Sequence, residues 1–194
     1  MSMLSHALRY AAIGWPVFPL KPKDKVPAGG RGVLDASTDR DTITAWWTRT
    51  PDANIGLACG EKSGVIAMDI DPRHGGDHVL EQLIDEHGAL PSGALESHTG
   101  GGGIHYFFEF SGEKNYDIAR GVEIKSTGKY VVLPPSVHPS GNLYVWEISS
   151  NPFDDDDEND NDEKNTSVAS GNTQPNTLPI DSIFGKLSAP PTPA

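Results

Sequence analysis

Cysteine is almost missing from this 194-residue chain: Cys59 stands alone. No disulfide can therefore form within it, and no cluster of thiolates can hold zinc. A reducing, cytoplasmic setting is the expectation. Long apolar runs are missing too. No window reaches the roughly 18 apolar residues that a membrane helix needs, so no membrane association is expected. The opening MSMLSHALRYAAIGWP has no basic stretch ahead of a clean apolar core and cleavage site, so no signal peptide is expected either. Positive charge is scarce. Fifteen Lys and Arg against 27 Asp and Glu leave a net charge of −12, which argues against the basic surface of a tight, autonomous duplex binder.

The negative charge is unevenly placed. Residues 151–194 hold nine acids and two lysines, a balance of −7, while residues 1–150 carry a balance of only −5. The run NPFDDDDENDND packs like charges with almost nothing apolar, so burial cannot offset the entropy lost on ordering it. The polar stretch NTSVASGNTQPNT and the Pro-rich SAPPTPA follow. The chain therefore divides into a folded domain, 1–150, and an acidic, polar and Pro-rich tail or linker, 151–194, expected to be disordered. The mild acidity of 1–150 counts against strong duplex binding and does not count against a catalytic domain that collects carboxylates for metal.

The 21 glycines and 16 prolines of the whole chain argue for strands and turns over a helical bundle. Apolar residues at helical spacing predict helices over 2–13, 38–49 and 76–87. The first of these stops at Gly14; the second opens on the cap-like Thr38 and Asp39. Strands are expected over 15–20, 54–58, 65–70, 95–98, 104–110, 121–125, 130–133 and 143–148, with 54–58 and 65–70 paired around a Gly60–Gly64 turn. The fold class expected is α+β (or α/β), with helices packed on one face of a sheet.

The segment Val65-Ile66-Ala67-Met68-Asp69-Ile70-Asp71 runs an apolar strand into two acids. Side chains alternate along a strand, so Asp69 and Asp71 share a side, about 6–7 Å apart at their Cα atoms. Carboxylates that close repel unless cations intervene, and they can straddle a pair of divalent ions, as phosphoryl transfer requires. Hard oxygen ligands suit Mg²⁺ or Mn²⁺. An isolated D-x-D at a strand end more often just faces water, but three neighbours add weight. The glycine-rich turn Gly100–Gly103 precedes His105, and glycine lets a backbone approach phosphate oxygens closely. Glu123 brings a third carboxylate on a short apolar strand. Tyr130–Leu133 leads into Pro134-Pro135, which fixes a hydroxyl (Ser136) and an imidazole (His138) beyond it.

In this order the motifs resemble a known family. The strand with D-I-D-P-R-H-G-G, then T-G-G-G-G-I-H-Y-F-F, G-V-E-I-K-S-T-G-K-Y-V-V-L-P-P-S and G-x-x-Y-x-W, is similar to the bifunctional primase–polymerase (prim-pol) domain of the archaeo-eukaryotic primase superfamily. The openings A-L-x-Y-A-x-x-G-W-P-V-F-P-L-K-P, A-W-W and N-I-G-L-A-C-G fit as well, so the resemblance spans residues 5–148. It implies a mixed-sheet catalytic core with an RRM-like sheet and flanking helices. It implies a DNA primase/polymerase that transfers nucleotides from (d)NTPs on a single-stranded or primed DNA template, in replication of a plasmid, phage or prophage. Such domains work beside a helicase module, in cis or in trans. Carried over position by position, Asp69, Asp71 and Glu123 would be the metal ligands of a two-ion Mg²⁺ or Mn²⁺ site, and His105 would meet the nucleotide's phosphates. Gly102, Gly103, Arg73, Lys125, Lys129, Ser136 and His138 are the further nucleotide-binding candidates. Two positions depart from the family pattern: Glu123 where Asp is common, and Gly103 where many relatives have serine. Those departures, with the lack of positive charge, leave a catalytically inactive module that binds nucleic acid or a replication partner as the other reading.

Two nucleotide motifs fall away. Gly60-Glu61-Lys62-Ser63 and Ser126-Thr127-Gly128-Lys129 each hold only part of a G-x-x-x-x-G-K-[ST] loop. His74 and His78 lack a third ligand for zinc.

Overall fold

The computed structural model describes residues 1–90 and 94–153. The segment 154–194, expected to be a disordered tail, lies outside the described residues. Three helices are α1 (Met3–Ala12), α2 (Arg40–Arg49) and α3 (Gly76–His87). Nine strands are β1 (Val17–Leu20), β2 (Asn54–Ala58), β3 (Val65–Ile70), β4 (Leu95–His98), β5 (Ile104–Glu109), β6 (Tyr116–Ala119), β7 (Val122–Lys125), β8 (Tyr130–Leu133) and β9 (Val145–Trp146). Local chemistry accounts for the helix starts. Ser2 accepts a hydrogen bond from the Ser5 amide, and Asp39 from the Thr42 amide at 2.8 Å, each satisfying an N–H that the first turn leaves open.

The strands form two sheets. One has the order β1-β2-β8, the other β6-β7-β3-β5-β4-β9. The α+β class expected from the sequence is what the molecule has. Every strand pairing among the described residues is antiparallel, so neither sheet is mixed. Two other expectations change. β2 and β3 do not make a hairpin: after a single bridge between Gly60 and Val65 they part into different sheets. Both edges of β2 are taken by β1 and β8, and both edges of β3 by β5 and β7. Nor do the helices share one face. α3 covers one side of the large sheet, with Leu80 against Ile66, Met68, Ile70, Tyr106, Phe108, Val122 and Ile124. α1 and α2 instead pack Ala7, Tyr10, Ile43 and Trp47 into a layer shared with Val17, Ile55 and Leu57 of the small sheet and Ala67 and Phe107 of the large one.

That shared layer is where the two sheets are tied. Trp15 stacks on Phe107 with ring centroids 5.6 Å apart. The Trp146 indole donates to the Tyr10 hydroxyl at 2.8 Å, and that hydroxyl donates to the Pro134 carbonyl at 2.7 Å. Tyr10 is wholly buried, so its hydroxyl bridges β9 of the large sheet and the segment after β8 of the small one. Cys59 sits in the same layer, 2% exposed, and burial pushes its thiol up to about 12.

Replacing Tyr10 with Phe leaves the Pro134 carbonyl without its buried donor and the Trp146 N–H without its acceptor. An unsatisfied buried group costs about 1–3 kcal/mol. The urea midpoint of Tyr10→Phe should fall accordingly with an unchanged slope; an unchanged midpoint would show that the bridge contributes nothing.

Candidate active site

Side chains of directly opposed residues on antiparallel strands lie on the same face, with Cβ atoms about 5 Å apart. In the large sheet one such rung crosses all six strands: Asp117, Glu123, Asp69, His105, Ser97 and Trp146 are paired in that order. Glu123 and His105 are therefore the immediate neighbours of Asp69 on either side, as a shared site requires. Asp71 lies two residues beyond Asp69 in extended backbone and completes the group. Backbone contact fixes Asp71: its amide donates to the Gly121 carbonyl at 2.8 Å, and its carbonyl accepts from the Gly76 amide at 3.0 Å. A Cβ on Gly76 would stand 2.2 Å from the Gly121 oxygen, so only glycine permits this approach between the start of α3 and the start of β7.

The acids are balanced by cations of the chain itself. The Lys125 ammonium lies 2.6 Å from Glu123 and 3.3 Å from Asp69. Burial disfavours its charge, but the bond to Glu123 and the charge of Asp69 outweigh that, and its pKa is raised. Asp71 takes a two-pronged contact from Arg73, both at 3.0 Å, and a third from His74 Nδ1. The Arg73 hydrogen bond leads in holding the Asp71 carboxyl down to about 2. His105 is 5% exposed, and burial lowers its pKa to about 4 despite the charge of Asp69. Its ring is thus neutral at pH 7, with Nε2 3.6 Å from an Asp69 oxygen. Among the described residues no three His, Cys, Asp or Glu side chains converge on a point where one ion would touch them all.

Two hollows meet at the acids. A cleft of about 340 Å³ is walled by Asp69, Asp71, His105 and Tyr144 together with four cations, Lys25, Arg73, Lys125 and Lys129. A second hollow, of about 530 Å³, is lined by Asp69, Asp71, Glu123, His74, Asp117 and Arg120. Arg73, Lys125 and Lys129 therefore line one cleft with Asp69 and Asp71. The glycine turn is different in detail. Gly101 and Gly103 line the cleft, whereas Gly102 does not. The amides of Gly102 and Gly103 are spent inside the turn, on the Thr99 carbonyl and the Thr99 hydroxyl, both at 2.9 Å. A Cβ at Gly103 would lie 2.4 Å from the Ile70 carbonyl oxygen, which explains why serine is absent here. Ser136 and His138 also leave the expected role. Ser136 is wholly buried and its hydroxyl accepts from the Ile55 amide at 2.9 Å. His138 bonds Ser140 and backs the turn, its Nε2 close behind Gly101, rather than lining the cleft.

Sequence reasoning passed over several wall residues. Lys25 comes from the loop after β1, pinned by the Tyr130 hydroxyl on its carbonyl at 2.9 Å and by Asn54 Nδ2 on the Asp24 carbonyl at 2.9 Å. Tyr144 lies in the G-x-x-Y-x-W motif, where the tyrosine was a visible signal. It stacks against His105 at 6.3 Å, and its hydroxyl has no hydrogen-bond partner among the described residues. Asp117 was hidden because β6 is only four residues long, too short for the alternation of Tyr116, Asp117 and Ile118 to mark a strand.

No helix among the described residues is long and apolar enough to cross a membrane. No curated protein matches the chain. Residues 7–157 match the family described as bifunctional DNA primase/polymerase, N-terminal, a span that holds both sheets, α2, α3, the second half of α1 and every residue of the rung. Its motif order, the shared face of its acids and this match agree, and the chain belongs to the bifunctional DNA primase/polymerase family.

Proposed function

We propose that this domain is a working nucleotidyl transferase, extending or starting a strand on a DNA template from (d)NTPs. The reading is carried by one observation: Glu123 and His105 flank Asp69 on the same rung of the sheet. In the reaction a 3′-hydroxyl gives its proton to water and its oxygen bonds to the α-phosphorus, the bond from that phosphorus to the bridging oxygen breaks, and pyrophosphate leaves with the displaced electron pair.

Asp69, Asp71 and Glu123 would hold Mg²⁺ or Mn²⁺. The donor set fits: all are carboxylates, the hard oxygen ligands these ions prefer. The lysine ammonium between Asp69 and Glu123 marks a place where positive charge is favourable, although the three carboxylates are not drawn onto one point. When bound, such ions supply charge against the triphosphate and lower the pKa of the attacking hydroxyl. The chain's own residues do the rest. Lys25, Lys129 and Arg73 stand along one cleft and offer the counter-charge that a triphosphate seeks. The neutral His105 donates from Nε2 to a phosphate oxygen without adding charge beside Asp69. Tyr144 closes the wall against which the nucleotide lies.

The silent binding module is the second reading, favoured by the same ammonium, which already satisfies two acids. A plasmid, phage or prophage replication setting, with a helicase in cis or in trans, is the context the active reading expects.

Asp69→Ala and Asp71→Ala should each reduce Mn²⁺-dependent primer extension by at least ~10²-fold, comparable to losing one electrostatic stabiliser, with the circular dichroism spectrum unchanged. Extension at the wild-type rate by the double variant would strike Asp69 and Asp71 from the catalytic assignment, and a wild type that extends no primer would leave the silent module standing. If Lys125 competes with the metal for Asp69 and Glu123, Lys125→Gln should tighten Mn²⁺ binding several-fold, read by titration calorimetry. Weaker Mn²⁺ binding in that variant would refute the competition.

A further inference from the structure

Two buried polar atoms beside the acids have no hydrogen-bond partner: Ser97 Oγ and His105 Nδ1. They belong to residues directly opposed on β4 and β5, hence on one face of the sheet. Ser97 is wholly buried and His105 nearly so, and neither atom finds a partner among the described residues. One is a hydroxyl able to donate; the other is a ring nitrogen able to accept. An unpaired buried polar group is costly, so two complementary ones at facing positions point to each other.

We infer that Ser97 is a positioning residue for His105: its hydroxyl donates to Nδ1, directly or through one water, and so keeps the ring proton on Nε2. The inference rests on the reading of His105 as the phosphate contact. A neutral imidazole has one N–H and one bare nitrogen, and the partner of one nitrogen decides which is which. A donor at Nδ1 makes that nitrogen the acceptor and turns Nε2–H into the cleft. The other side of the ring agrees. Nε2 faces an Asp69 carboxylate oxygen at 3.6 Å, where a bare lone pair would be repelled and an N–H is attracted. Nε2 is also the nitrogen that a phosphate oxygen would meet, and only its protonated form can donate.

The rung thereby gains a task at each position from Glu123 to Trp146. The two acids gather cations, the imidazole donates to phosphate, the serine fixes the imidazole, and the Trp146 indole donates to the Tyr10 hydroxyl that ties the two sheets.

The test uses the full chain with ¹⁵N-labelled histidine. At neutral pH, without nucleotide, long-range ¹H–¹⁵N correlation should show His105 protonated on Nε2. Finding the proton on Nδ1 in the wild type would overturn the inference before any variant is made. In Ser97→Ala the preference should be lost, giving a mixture or the Nδ1–H form; an unchanged tautomer would also overturn it. Ser97→Thr keeps the hydroxyl and should keep the Nε2–H form, while alanine-like behaviour by the threonine variant would count against the hydroxyl. In primer extension Ser97→Ala should raise the KM for nucleotide about tenfold with kcat within about twofold, as expected when a binding contact is lost. A wild type that extends no primer would defeat the proposed function, and the tautomer result would still decide the role of Ser97.

Discussion

Strands in a sheet stand about 4.8 Å apart, and that spacing is the constraint on which the site depends. It forces Glu123 and Asp69, and His105 with them, into close lateral contact on one face of the large sheet. Carboxylates held so close repel each other, and the fold offsets this with charge of the opposite sign. It brings cations in. Lys125 reaches between two acids from its own strand, and Arg73 folds back on Asp71 from the turn after β3. The charge pattern of the domain is therefore local: the region is acidic overall, yet the cleft beside the acids is walled by four positive side chains.

The rest of the architecture keeps that rung in place. One face of the large sheet is covered by α3 and supplies pure hydrophobic burial. The other face is shared: its far part packs on the small sheet and α1, and its near part opens as the cleft. The two sheets are joined by an aromatic cluster and by the Tyr10 hydroxyl, so the wall bearing Lys129, Tyr130 and Val132 is held against the wall bearing Asp69 and His105. Glycines without side chains at 76 and 121 let the start of α3 and the start of β7 grip the backbone of Asp71.

Much of this was legible in the residues. Alternation along one strand was enough to place Asp69 and Asp71 together, and helical spacing located α1, α2 and α3 closely. What could not be read was pairing between distant strands, because register depends on which edges remain free. The short apolar β2 and β3 look like a hairpin in sequence, yet each is claimed on both sides by other strands. Side-chain type misled at Ser136 and His138: their hydroxyl and imidazole suggested a ligand, but they hold the backbone of Ile55 and the glycine turn. The glycines drew attention for their amides, two of which Thr99 uses up. Lys25 went unnoticed since its position is set by Asn54 and Tyr130, far from it in the chain.

The lone sulfhydryl has a practical consequence. Cys59 follows β2 in the layer between the sheets, and its thiol is both covered and kept protonated. Thiol reagents attack the thiolate, so in the closed molecule the group is inert. Any reaction with such a reagent must follow a parting of the layers. With one cysteine in 194 residues, the rate of thiol modification reports on opening of this one layer and on nothing else in the chain.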